Sequence, residues 1–197
     1  MRLLYSALSP FARKVRIVAH ENGFTDAITL ETVAPFADES LRATNPLSQV
    51  PTLILDDGEI LFDSSVICGH LDAEGGAGLI PASGKDRRRA LTLQALADGM
   101  GSAAIAVVRE RMRPADDQRP ELIERQLKAI VAGLDLLDAE GFSAEQWTIA
   151  QIAVAAQLAY FDARQVIDWR AGRPALAAWF EAASRREAMV VTSVQLA

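Results

Sequence analysis

The sequence predicts an α/β N-terminal half followed by an all-α C-terminal half. The order of signals carries this prediction. Strand and helix alternate as β-α-β and then β-β-α, a glycine-rich stretch follows, and beyond it only helical periodicity remains. Charge divides the chain at the same place. Residues 1–80 hold 11 acidic and 5 basic side chains, a net −6, which is the net charge of the whole chain; residues 81–197 are neutral. At 197 residues, 50% of them hydrophobic, the chain is long enough for one domain or two small ones with a real core. One cysteine excludes an internal disulfide, and two histidines exclude a histidine-rich metal site. The acidic balance disfavours a general nucleic-acid binder, and the apolar content disfavours disorder. Leu3–Leu8 is too short and too interrupted for a secretory segment. Ile149–Phe161 falls short of the ~20 residues of a membrane span and carries Gln151 and Gln157. A soluble cytoplasmic protein without membrane or nucleic-acid partners is expected.

Each element follows from local chemistry. Arg2–Tyr5 reads as a strand. Ser9-Pro10 opens a helix, with a hydroxyl at the N-cap and proline at the first helical position. Phe11, Val15, Val18 and Ala19 form its apolar stripe, and Arg13, Lys14, Arg16 and Glu21 are expected on its other faces; Asn22-Gly23 ends it. Ala27–Val33 alternates as a second strand, and Ala34–Ser48 is irregular or partly helical. Thr52–Leu55 and Glu59–Phe62 flank Asp56-Asp57-Gly58, a hairpin signal. Asp63-Ser64-Ser65 caps a helix running through Leu71. Gly75–Gly84 reads as a linker. Helices are then expected over Asp86–Arg113, Glu121–Asp138, Thr148–Arg164 and Pro174–Ser184.

Four strings in this order resemble the glutathione transferase superfamily, in a bacterial-type form with serine at the thiolate-stabilising position. They are Ser9-Pro10-Phe11-Ala12-Arg13-Lys14-Val15-Arg16 after the first strand, Asn45-Pro46-Leu47-Ser48-Gln49-Val50-Pro51-Thr52-Leu53 before the third, Asp63-Ser64 after the fourth, and Thr148-Ile149-Ala150-Gln151 in the helical half. The resemblance covers nearly the whole chain. It implies a thioredoxin-like glutathione-binding domain over residues 1–75, a linker over 76–84, and an all-helical domain over 85–197 that contributes the electrophile site. It also implies a homodimer that uses glutathione as co-substrate, without a metal, in detoxification.

The residues make physical sense of that implication. A free thiol has a pKa near ~8.5. Lowering it by about two units takes about 2.7 kcal/mol of preferential anion stabilisation. Ser9 stands at a helix N-terminus, which favours an anion, and its hydroxyl can accept a capping N–H and still donate to a sulfur. Ser9 is therefore read as a thiolate stabiliser rather than a nucleophile, and by the resemblance serine in place of cysteine implies conjugation. Ser6 and Tyr5 are the nearest competitors. By the resemblance, Val50-Pro51 forms a cis-proline turn that pairs with the peptide backbone of glutathione. Asp63 and Ser64 grip the ammonium and carboxylate of its γ-glutamyl end, although the family more often has glutamate where Asp63 stands. Gln49 contacts the glycine carboxylate or is a solvated loop residue. Thr148 and Gln151 form a structural capping box, with glutamine where the family usually has aspartate.

Other residues invite plainer readings. Cys68 is expected in the core, His20 and His70 at or near the surface, and Arg87-Arg88-Arg89 in a solvated or dimer-facing cluster. Gly99, Gly101, Ser102, Ala103 and Ala104 make a small-residue face for close packing or for a cleft. Arg109 and Arg113, four apart, are expected on one outward face, paired with Glu110, Asp116 or Asp117; turned inward, they favour an anionic or peroxide-like second substrate. Among acidic residues of the first half only Asp63 is expected at the cleft. A non-catalytic partner-binding protein of the same fold and a glutathione-dependent peroxidase or reductase are the competing functions.

Overall fold

A computed structural model describes residues 1–35 and 38–193. Residues 36–37, within the stretch expected to be irregular, and 194–197 lie outside the described residues. The first half builds a mixed sheet from β1 (Arg2–Tyr5), β2 (Thr29–Thr32), β3 (Thr52–Ile54) and β4 (Ile60–Leu61), in the order β2-β1-β3-β4. β1 runs parallel to β2, with Leu3 opposite Leu30, and antiparallel to β3, with Leu3 opposite Leu53. The β3–β4 hairpin turns at Gly58, whose φ of +90° suits a residue without Cβ. The Glu59 N–H is held by Asp57 Oδ1 at 2.9 Å.

Helices α1 (Pro10–Glu21) and α3 (Ser64–Gly75) bury Val15, Ile17, Val18, Ile67 and Leu71 in one core with Leu3 and Leu53. α3 extends one turn past the expected end at Leu71, to a left-handed cap at Gly76. Cys68 lies in this core as expected, and burial pushes its thiol up to about 12, which leaves it inert. α2 (Glu39–Thr44) crosses between β2 and β3. The linker is tied down by polar groups: Asp72 accepts from the Leu79 and Ile80 N–H groups at 2.9 and 2.8 Å, and Asn22 Oδ1 accepts from Ala77 N–H at 3.0 Å.

The helical half comprises α4 (Gly84–Arg111), α5 (Pro120–Glu140), α6 (Ile149–Ala163), α7 (Pro174–Ala183) and α8 (Glu187–Val191). α8 is short and escapes sequence periodicity. α6 is apolar nearly all round and is the central helix, packed against α1, α4 and α7. Its capping box is present: Thr148 Oγ1 accepts from Ala150 N–H, and Gln151 Oε1 accepts from Thr148 N–H at 3.0 Å. α4 is long and apolar enough by composition to cross a membrane, but half of its apolar window is buried, mainly against α5 and α6. Gly101 lets α4 approach α6, since a Cβ there would meet the Gln157 amide. In the arginine cluster, Arg89 pairs with Glu140 of α5 and Arg87 donates to the Pro81 carbonyl.

Lys14 departs from expectation. Amphipathic spacing puts it on a polar face of α1, yet it is 0% exposed and pairs with Asp98 of α4 at 2.6 Å. A countercharge from the other half makes that burial tolerable, and no pattern within α1 encodes it.

The exit from α4 is latched by Glu110, which accepts from the Arg119 N–H at 2.8 Å and from its guanidinium at 2.8 and 3.1 Å. These hydrogen bonds, the guanidinium first, hold the Glu110 carboxyl at about 2. A depressed carboxyl stabilises the folded state above its ordinary pKa, and that contribution fades as pH falls toward about 2. Wild type should therefore exceed Glu110→Gln in denaturation midpoint at neutral pH. The lead should shrink below about pH 4.5 and vanish near pH 2 when midpoints are compared across an acid series.

Candidate functional site

A cleft of about 640 Å³ opens between the two halves. Its lining gathers Ser9, Gln49, Val50, Pro51, Asp63 and Ser64, every site residue expected from sequence, from three separate segments of the first half. The helical half closes it with Asp98, Ser102, Ile105 and Arg109 of α4 and with Tyr160 of α6.

Ser9 is the N-cap of α1. Its Oγ accepts from Ala12 N–H at 3.2 Å, and its own N–H donates to the Ser6 carbonyl at 2.9 Å. Acting as acceptor to the helix leaves the hydroxyl proton to donate into the cleft. Ser6 also lines the cleft. Tyr5 instead sits under the Arg16 guanidinium, 5.6 Å from the ring centre, a structural place.

The Gln49-Val50-Pro51 turn is built by a residue to which sequence reasoning gives no role. Asn45 is buried; its Nδ2 donates to the Gln49 carbonyl at 3.1 Å and to Thr52 Oγ1 at 3.0 Å. Its Oδ1 accepts from Leu47 N–H at 3.0 Å, so one amide fixes both limbs of the loop. The Val50–Pro51 peptide is cis, as the resemblance implies, and so is Phe62–Asp63.

Asp63 caps α3, its Oδ1 accepting from Ser65 N–H at 2.9 Å, with Ser64 buried next to it. Asp98 is the acid that sequence reasoning misses. Its Oδ2 meets Lys14 Nζ at 2.6 Å and Ser65 Oγ at 3.3 Å, while its Oδ1 has no hydrogen-bond partner among the described residues. Burial outweighs the nearby ammonium and pushes the Asp98 carboxyl up. Among the described acids of the first half, Asp63 alone lines the cleft; Asp98 joins it from the second half, already paired. The signal available for it is a stripe on α4: Asp98, Ser102, Ile105 and Arg109 recur at i, i+4, i+7 and i+11.

Arg109 corrects an expectation, for it lines the cleft. Arg113 does not share its face. It lies beyond Met112, the cap of α4, donates to the Asp117 carbonyl at 3.0 Å and sits 3.6 Å from Glu110. The small residues divide between both readings: Gly99 and Ser102 line the cleft, whereas Ala103 and Ala104 are buried. Among the described residues, no group of three or more His, Cys, Asp or Glu is arranged to hold a metal ion.

A helix N-terminus and hydroxyl at its centre suit an anion, and the carboxylates at one end suit a cation such as an ammonium. Two family models match the chain: the glutathione S-transferase N-terminal domain over residues 8–74 and the C-terminal domain over residues 120–182. The GST-like protein YibF of Escherichia coli K12, itself uncharacterized, is 33% identical over 98% of both chains. A glutathione transferase family member from Pseudomonas fluorescens Pf-5, solved with bound glutathione, is 36% identical over 99% of both chains with a TM-score of 0.95. In a second crystal structure of a Pf-5 family member, with bound S-(propanoic acid)-glutathione, identity is 35% over the full length of both chains and the TM-score is 0.91. On its sequence and its fold, this chain belongs to the glutathione transferase family.

Proposed function

We propose that the protein is a glutathione transferase that binds glutathione in this cleft, stabilises its thiolate with Ser9, and transfers it to a small electrophile held against the helical half. The observation that carries this reading is the convergence of Ser9, Gln49, Val50, Pro51, Asp63 and Ser64 on one cleft. The conjugate bound to the Pseudomonas fluorescens relative, with carbon on the glutathione sulfur, supports transfer rather than reduction. In the reaction, the thiol proton passes to solvent. The sulfur attacks an electrophilic carbon, a C–S bond forms, and the leaving group departs with its electron pair. Asp63, assisted by Asp98, receives the ammonium, Ser64 the γ-glutamyl carboxylate, the Val50 backbone the cysteinyl peptide, and Gln49 the glycine carboxylate. A homodimer acting in detoxification is what the family resemblance implies, and a cytoplasmic location is carried over from the sequence reading.

Calorimetric titration should give a glutathione Kd in the micromolar-to-millimolar range of small substrates. Silence up to about 10 mM glutathione would sink the reading, that ceiling lying well above the usual substrate range. Asp63→Ala should weaken binding about tenfold, as expected for losing a charge-assisted hydrogen bond. It should do so while moving the bound thiol pKa little; the reverse pattern would refute the assignment of Asp63 to the ammonium.

A further inference from the structure

Charge along the cleft is segregated. Asp98 and Arg109 face it from the same helix, eleven residues apart, which is about 16 Å along the axis. Asp63 stands with Asp98 at the acidic end. At the other end Arg109 is joined by Arg164, which follows Tyr160 by one turn at the end of α6, so both turn toward the same space. Between the poles the lining is mostly apolar, with Leu8, Pro10, Phe11, Ile105 and Val108.

Asp63, Ser9 and Gln49, which take glutathione's γ-glutamyl end, sulfur and glycine end in this reading, all belong to the first half, whereas the arginine pole is built by α4 and the end of α6. With its γ-glutamyl end at Asp63 and its sulfur at Ser9, glutathione leaves the arginine pole to whatever is joined to that sulfur. Tyr160 lines both this cleft and a smaller recess shared with Leu8, Ser9 and Pro10, so the arginine pole begins next to the reacting sulfur. Asp162, two residues before Arg164, pairs instead with Arg170. Burial pushes the Tyr160 phenol up, with the Arg164 and Arg109 charges opposing. The phenol therefore stays a donor at neutral pH, directed at the same space.

We propose that the electrophile accepted here carries a carboxylate, bound by Arg109 and Arg164 with Tyr160 at the end of the cleft opposite Asp63 and Asp98. This rests on the glutathione transferase reading and specifies its second substrate. Arginine suits the role because its planar fork matches a carboxylate in two parallel hydrogen bonds.

The test compares two product-like conjugates, S-(4-carboxybenzyl)glutathione and S-(4-carbamoylbenzyl)glutathione, with unmodified glutathione as the reference, by calorimetry on wild type, Arg109→Gln and Arg164→Gln. The pairs differ only in charge at the far end. Wild type is expected to bind the carboxylate conjugate about tenfold or more tightly than the carboxamide. Each substitution should close most of that gap, and Arg109→Lys should close less of it. Equal affinity for the two conjugates in wild type would overturn the proposal, as would binding of glutathione with exclusion of both conjugates. A matching loss of affinity for unmodified glutathione in Arg109→Gln would assign the arginine to glutathione's own carboxylate and also overturn it. Failure of all three ligands to bind wild type would instead refute the glutathione reading on which it stands.

Discussion

Ser9→Ala is expected to raise the pKa of enzyme-bound glutathione by about one unit, the lower end of the worth of one hydrogen bond to an anion. At about pH 6.5, near the lowered pKa, the thiolate fraction, and with it the rate of conjugation, should fall about fivefold, since one unit takes that fraction from about one half to about one tenth. The direction in pH follows. The group being titrated is the thiol, so activity lost at pH 6.5 should return as pH rises through the new pKa. The thiol is not expected to reach its free value, because the α1 N-terminus still opens where the sulfur is proposed to sit. Ultraviolet absorbance of the bound thiolate against pH reads this directly. A curve unmoved by the substitution would strip Ser9 of its role. Ser9 is also a helix cap, so Ser9→Ala should cost about 1 kcal/mol of stability. Ser9→Gly separates the two duties, since glycine caps nearly as well but has no hydroxyl. It should reproduce the shift in thiol pKa with only a few tenths of a kcal/mol lost.

The parts of the site that were legible in the sequence are those built by local chemistry. Ser9-Pro10 and Asp63-Ser64 are helix starts, and a helix start is written in two or three adjacent residues. The hairpin was legible at Asp57-Gly58 for the same reason. Gln49-Val50-Pro51 is readable only as part of a longer string, and nothing in that string marks Asn45 as the amide that holds the turn, because its partners are fixed by the fold of the loop. What escaped lies where the two halves meet. Asp98 owes its place in the cleft to the packing of α4 over α1 and α3, and Lys14 owes its burial to Asp98. Spacing within one helix is silent about a partner contributed by another. Arg109 and Arg113 fail in a different way. The i, i+4 rule holds only while the helix lasts, and α4 ends at Arg111, so Arg113 turns away to Glu110 and Asp117 while Arg109 stays with the cleft. The charge partition survives in altered form. The first half keeps its excess of acid away from the cleft, Asp63 alone among its described acids lining it, while the second half supplies both a further acid and the arginines.

Lys14→Met should carry the largest stability cost. The ammonium is fully buried, and its partner Asp98 is 20% exposed, onto the cleft. Removing one member of a buried pair leaves the other uncompensated, at about 3–5 kcal/mol, whereas exposed pairs contribute about 1 kcal/mol or less. Partial access of Asp98 to cleft water places the expected loss near 3 kcal/mol, or about 10 °C in melting temperature for a chain of this size. Its pH dependence has a definite sign. Burial already holds the Asp98 carboxyl above its ordinary value, and loss of the Lys14 ammonium pushes it higher. A carboxyl raised in the folded state takes up its proton before the unfolded chain does, so stability increases as pH falls through the folded pKa. The deficit of Lys14→Met relative to wild type should accordingly narrow on acidification, because a neutral Asp98 needs no countercharge. Asp98→Leu in the same background should recover part of the loss at neutral pH, as replacing both members of a buried pair by apolar side chains commonly does. Denaturant titrations at neutral and mildly acidic pH measure all three. A loss under about 1 kcal/mol at neutral pH, or one that does not change with acid, would show that the pair behaves as a solvated surface contact.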